Sequence, residues 1–171
     1  MPFKINIPAP TLPTLSALPE AIKKPDFILI VDSVHPVMTI DLITLCQNNP
    51  QYWHAESTIQ KQHDTLIATK TSKLLETACI SFADLAAYAV VTGPGSWIGS
   101  RVGITAIKAF HLIHSHPIIA VNSIEGQGTE YFENLCIAIK SKFSAKDFIT
   151  SQALEPFYDK EYLVNGKEYK M

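Results

Sequence analysis

Arginine is nearly missing from this chain. Arg101 is the only one among 14 basic residues, and 16 acidic residues bring the formal charge to −2. A chain this poor in bidentate phosphate partners, with no positive balance, is not built to hold nucleic acid by itself. Long apolar runs are also missing. Stretches such as Ala86–Val91 fall far short of the roughly 20 residues that cross a bilayer, and the proline-rich start has no apolar signal core. Cysteine is scarce and odd in number (Cys46, Cys79 and Cys136), without C-x-x-C spacing. That excludes a disulfide framework and a structural zinc site, and the thiols are expected to be reduced, with Cys79 and Cys136 packed in the core of a cytoplasmic protein.

What is present is globular: 171 residues, 47% hydrophobic and 18% charged, enough for one domain or two small lobes. Six of the 11 prolines fall between Pro2 and Pro25. Residues 1–25 are therefore read as an arm without regular structure. Folding is expected to begin at Phe27–Val31, a continuous apolar run that suits a strand buried on both faces. Val37–Leu45 reads as its hairpin partner with one wetter face, and Tyr52–Glu56 as a third strand. Ser57 or Thr58 caps a helix over Ile59–Ala78, and Ser81–Asp84 forms a capping box before a buried strand at Ala87–Thr92. A long helix from Trp97 to Ser115 ends before Pro117. Ile118–Val121 is a fifth strand, and Asn122-Ser123 caps a last helix. The order is β-β-β-α-β-α-β-α. Beyond Lys140 the pattern weakens, apart from a hairpin expected around Asn165-Gly166.

Glycine use carries the most information. Four of only seven glycines (Gly93, Gly95, Gly99 and Gly103) stand within eleven residues, where a strand passes into a helix. Gly93-Pro94-Gly95-Ser96 forms a tight turn, but its spacing is neither G-x-x-x-x-G-K-[ST] nor G-x-G-x-x-G. Gly99 and Gly103 share a helix face, and each costs on the order of 1 kcal/mol relative to alanine. Such an edge calls for something pressed against it, either the helix Ile59–Ala78 of the same chain or a helix from another. His111, His114 and His116 crowd the end of the long helix, where the dipole stabilises imidazolium without any metal.

The string Gly93-Pro94-Gly95-Ser96-Trp97-Ile98-Gly99-Ser100-Arg101-Val102-Gly103-Ile104 resembles the G-P-G-S-F-T-G-L-R-[IV]-G segment of the TsaB family. These proteins are the non-catalytic partner subunits in bacterial synthesis of threonylcarbamoyladenosine on tRNA. Ile28–Ser33 is similar to the family's first strand, and His63, with Leu66 and Leu74-Leu75, to its H-S-E helix. Phe82–Leu85 and Val121–Glu125 fit in order, so the likeness runs over about Phe27–Glu125. It implies an actin-like, ribonuclease-H-like lobe over residues 26–125: a mixed five-stranded sheet with helices on its faces, followed by a shortened second lobe or tail over 126–171.

The resemblance also implies a helix-to-helix joint with a TsaD-like catalytic subunit, through His63, Leu66, Ile67 and Lys70 on one helix and Trp97, Gly99, Arg101, Val102, Gly103, Thr105 and Lys108 on the other. A TsaE-like ATPase would be reached through the complex, tRNA only indirectly, and the same face would serve a homodimer. No cofactor, metal or catalytic residue is implied. Trp97 and Ile98 depart from the family's Phe and Thr, and Thr65 from its Glu. The competing expectation is a small actin-like nucleotide-binding protein or phosphotransferase. Against it, Asp32-Ser33-Val34-His35 lacks the D-x-G-x-[ST] loop that would approach phosphate, and TsaD's H-x-E-G-H motif is absent.

Overall fold

The computed structural model describes residues 26–45, 50–58, 63–124, 128–158, 162–164 and 167–169; the expected arm, 1–25, lies outside them. Three strands come first: β1 (Phe27–Asp32), β2 (Met38–Thr44) and β3 (Tyr52–Ser57). Helix α1 (His63–Thr77), a 3-10 turn at Phe82–Asp84, β4 (Leu85–Val91), α2 (Trp97–His114), β5 (Ile118–Val121) and α3 (Gly128–Ala145) follow. The short hairpin β6 (Tyr162–Val164) and β7 (Lys167–Tyr169) forms a separate two-stranded sheet.

The first five strands make one sheet in the order β3-β2-β1-β4-β5. Short turns allow β1, β2 and β3 to pair antiparallel, while β1–β4 and β4–β5 are parallel and need the helical crossovers that α1 and α2 supply. The sequence β1 FILIVD is buried at all six positions, as a central strand between two helical layers requires. On one face α1 and α2 pack Ile67, Leu74, Ile104 and Ile107 against Leu29, Val31, Ile40 and Leu42. On the other, α3 packs Leu135 and Ile139 against Ile28, Ile30, Ala87, Ala89 and Ile119. Each such aliphatic side chain contributes about 1.5–3 kcal/mol when fully removed from water.

The wetter face expected for β2 carries Thr39, which is partly exposed, and Asp41, which is 1% exposed; the strand's other residues are buried. One expectation is corrected: the last helix starts at Gly128 rather than at an Asn122-Ser123 cap. Past residue 125, α3 covers the same sheet, and the segment after it returns to that sheet. Ile149 donates its N–H to the Ile118 carbonyl (2.9 Å) and Phe157 to that of Thr92 (2.9 Å), and Leu154 is fully buried in the α1–α2 core.

Candidate functional site

Two surfaces carry features beyond packing, one on each side of the sheet. The first is the outer face of α1 and α2. Ser96 caps α2, accepting the Gly99 N–H on Oγ (3.0 Å), and its own N–H holds the Val34 carbonyl (2.7 Å). The Gly93–Ser96 turn is thereby stitched to the end of β1, and the Ser123 N–H donates to the Gly93 carbonyl. Gly99 and Gly103 do not face outward. A Cβ at Gly99 would collide with the Ser33 carbonyl oxygen, and one at Gly103 with Ser33 Oγ, which donates to the Gly99 carbonyl (2.7 Å). The glycine edge is thus filled by the turn after β1, neither by α1 nor by another molecule. Gly99 and Gly103 are removed from the expected partner contacts.

The rest of the expected α2 set does reach the surface. Trp97 is 39% and Ile98 66% exposed, and the Arg101 guanidinium lies 4.0 Å from the centre of the Trp97 ring. With Ile67 and Ala68 of α1 and Val102, Thr105, Ala106, Ala109 and Phe110 of α2, they line a groove of about 450 Å³. Ile67 forms its floor and is itself core at 1% exposure. Leu66 packs on the edge of that core, and Lys70 donates Nζ to the Glu56 carbonyl (3.0 Å), an anchorage that burial accompanies with a lowered ammonium pKa. The described residues include the backbone of His63 but not its side chain. Arg101 Nε also donates to Tyr158 Oη (3.2 Å), and Lys108 Nζ stands 3.8 Å from Glu155, so the returning C-terminal segment borders the groove.

The second surface is a cleft of about 1030 Å³ between α3 and the half of the sheet that α3 leaves uncovered. It was not anticipated from the sequence. Two buried carboxylates stand in it, each holding an imidazole. Asp32 Oδ2 accepts from His35 Nδ1 (2.8 Å) and from Tyr131 Oη (2.7 Å), while Oδ1 accepts the Val34 N–H (3.1 Å). Asp41 Oδ1 accepts from His54 Nδ1 (2.6 Å), and His54 Nε2 lies 3.6 Å from Glu56. These carboxylate bonds raise the pKa of both imidazoles against the opposing effect of burial. Burial also raises the pKa of Asp41, a rise that His54 opposes. Tyr52 and Phe132, with ring centres 5.0 Å apart, form an aromatic wall. The signal for this cleft was present as cross-strand register: Asp41 pairs with His54 and Thr39 with Glu56, a polar row on two adjacent strands.

The three histidines at the end of α2 have structural partners, and Cys46 lies outside the described residues. His111 Nδ1 donates to the His116 carbonyl and His116 Nε2 to the Phe82 carbonyl (both 2.8 Å), and His114 stacks on Phe82. Among the described residues, no group of His, Cys, Asp and Glu is arranged to hold a metal ion. Cys136 packs against the α3-side core, where burial raises its pKa to about 11. Cys79, expected to be core, is exposed.

A mixed five-stranded sheet flanked by helices, with an apolar two-helix face on one side, places the chain in the actin-like, ribonuclease-H-like class. YeaZ from Pseudomonas aeruginosa has the same fold, with a TM-score of 0.51 at 20% identity over 57% of this chain and 44% of that one. Residues 56–139 match the family of TsaD, tRNA N6-adenosine threonylcarbamoyltransferase. Curated proteins of that name are similar over parts of the chain. That of Limosilactobacillus fermentum is 29% identical over 98 residues (57% of this chain, 28% of the relative), and that of Bradyrhizobium sp. 48% over 48 residues (28% and 14%). The chain thus spans less than a third of the length of these relatives. No helix among the described residues is long and apolar enough to cross a membrane.

Proposed function

We propose that this chain is a non-catalytic, TsaB-like subunit in the formation of threonylcarbamoyladenosine on tRNA, and that it binds a TsaD-type catalytic subunit through the α1–α2 face. The observation that carries the reading is the exposed apolar groove built by Trp97, Ile98, Val102 and Phe110 beside α1. Clustered aromatic and aliphatic side chains with a single arginine at the rim are the composition of an interface centre. Trp97 and Arg101 are the anchors, and Val102 and Thr105 complete the seat.

The sequence supports the division of labour. Ser123-Ile124-Glu125-Gly126-Gln127 has the E-G centre of the H-x-E-G-H motif, but serine and glutamine stand where that motif has its two histidines. Serine and glutamine are poor ligands for a transition metal, so the transfer chemistry is assigned to the partner.

The test is the mass of the complex formed by this chain and a TsaD-type enzyme, measured by light scattering. The wild type is expected to form a heteromer, and Ile98→Asp to remain folded while failing to do so. No heteromer with the wild type, or an unchanged one with Ile98→Asp and Trp97→Ala, overturns the interface. Gly103→Arg is unsuitable as a probe because it breaks the internal contact with Ser33. Threonylcarbamoylation of tRNA by the chain alone would overturn the non-catalytic role.

A further inference from the structure

The carboxyl ends of the parallel strands β1, β4 and β5 lie together, at the edge where open α/β sheets hold their ligands. There Asp32 closes β1, His35 stands in the turn after it, and Ser123 follows β5. The three side chains are joined in series. Asp32 Oδ2 accepts from His35 Nδ1 (2.8 Å), and the other ring nitrogen, Nε2, lies 3.2 Å from Ser123 Oγ. Asp32 is fixed at both oxygens, Oδ1 by the Val34 N–H (3.1 Å) and Oδ2 also by the Tyr131 hydroxyl (2.7 Å). A carboxylate only accepts, so Nδ1 carries the proton of the neutral imidazole and Nε2 turns its lone pair to the serine hydroxyl. The Ser123 backbone is anchored separately, its N–H on the Gly93 carbonyl.

Hydroxyl, base and orienting carboxylate in that order are the parts of an acyl-transferring serine. Ser123 is half-buried and the His35 side chain 37% exposed, so a reagent can reach both. His35 also lines the cleft beneath α3, where Val37, Tyr52, Phe132 and Leu135 offer apolar surface to an uncharged acyl or alkyl group. We propose that Ser123 is a nucleophile toward small uncharged esters, with His35 as its general base and Asp32 as the residue that positions the ring. Oγ bonds to the carbonyl carbon as its proton passes to His35 Nε2. The bond to the alcohol oxygen breaks, and His35 returns the proton to that oxygen. Water then attacks the acyl carbon through the same base, and Oγ leaves with the proton, so ester and water become acid and alcohol. The hydrogen bond to Asp32 raises the His35 pKa and makes it a stronger base. Burial and the Asp32 charge push the Tyr131 pKa up, so its hydroxyl keeps its proton; it also hydrogen-bonds Ser123 and holds that side chain beside the ring.

The experiment treats the full chain with diisopropyl fluorophosphate, whose phosphorus takes Oγ as fluoride leaves and the proton passes through His35 to the buffer. Hydrolysis of p-nitrophenyl acetate is followed in parallel, an activated ester whose leaving group asks least of the site. One adduct per chain, mapped to Ser123 by peptide mass, is expected, and none on Ser123→Ala. His35→Gln and Asp32→Asn are each expected to slow labelling by about a hundredfold or more. His35 is a partly exposed position, and the melting temperature reports whether each variant keeps the fold. No adduct, an adduct on another residue, or equal labelling of a folded His35→Gln overturns the proposal. Labelling of Ser123 without turnover of p-nitrophenyl acetate overturns its hydrolytic half. The activity is separate from threonylcarbamoyl transfer. Ile98→Asp is expected to label like the wild type, so loss of the heteromer and loss of the reactive serine are scored apart.

Discussion

Asp41 is an ionisable group inside a five-stranded sheet, and the hydrogen bond it accepts from His54 across the strand is what makes it tolerable. Removing that partner leaves a desolvated carboxylate. His54→Gln is expected to cost about 1–3 kcal/mol in a denaturant titration, tempered by the quarter of the His54 side chain that remains exposed. The pH dependence follows from the same bonds. His35 and His54 have raised pKa values in the fold, so the folded state binds their protons more tightly than the unfolded chain. Their stabilisation is complete below the ordinary imidazole value and is lost as pH rises through the raised values. The melting temperature is therefore expected to fall from neutral towards mildly alkaline pH, and a His35→Asn, His54→Gln double variant to flatten that fall. Gly103 supplies a third residue-scale test. Gly103→Ala forces a methyl against Ser33 Oγ and is expected to cost about 1–3 kcal/mol, and a Ser33→Ala background should recover part of it in a double-mutant cycle.

Helix α2 ends on Ser115, whose φ of 58° puts a non-glycine residue in the left-handed region while its N–H caps the His111 carbonyl. Ser115→Gly keeps that backbone bond and relieves the strain, so denaturation should show a gain of about 0.5–1 kcal/mol. At this scale much was legible beforehand. The three antiparallel strands, the two crossover helices and the Gly93–Ser96 turn follow from apolar runs, prolines and caps. What escaped has physical reasons. The alternation of β2 marks Asp41 as polar, but it does not say that the carboxylate is buried and finds its partner, His54, on the next strand. Gly99 and Gly103 signalled a close approach correctly, but a helix edge stripped of side chains does not say what fills it. Here that is a turn 66 residues upstream, joined through Ser33 Oγ and the Gly99 carbonyl. The early start expected for α3 came from reading Asn122-Ser123 as a cap, whereas the Ser123 hydroxyl bonds Nε2 of His35 (3.2 Å).

For the whole molecule, the segment from Ile149 to Tyr158 is part of the domain and not an appendage. Leu154 is fully buried among residues of the α1–α2 core, and Leu154→Ala is expected to destabilise the entire chain by about 2–5 kcal/mol in thermal or chemical unfolding. The same segment borders the α1–α2 groove through Tyr158 and Glu155, so the variant also loosens the rim of the proposed partner seat. The last residue of β1 and its neighbour divide their attention between the two sides of the sheet. Asp32 grips Tyr131 of α3, and Ser33 grips α2 at Gly99. One peptide bond therefore links a helix on the front of the molecule to a helix on the back. A partner that draws α2 outward would therefore be felt at Tyr131 across only two hydrogen bonds and the peptide bond between them.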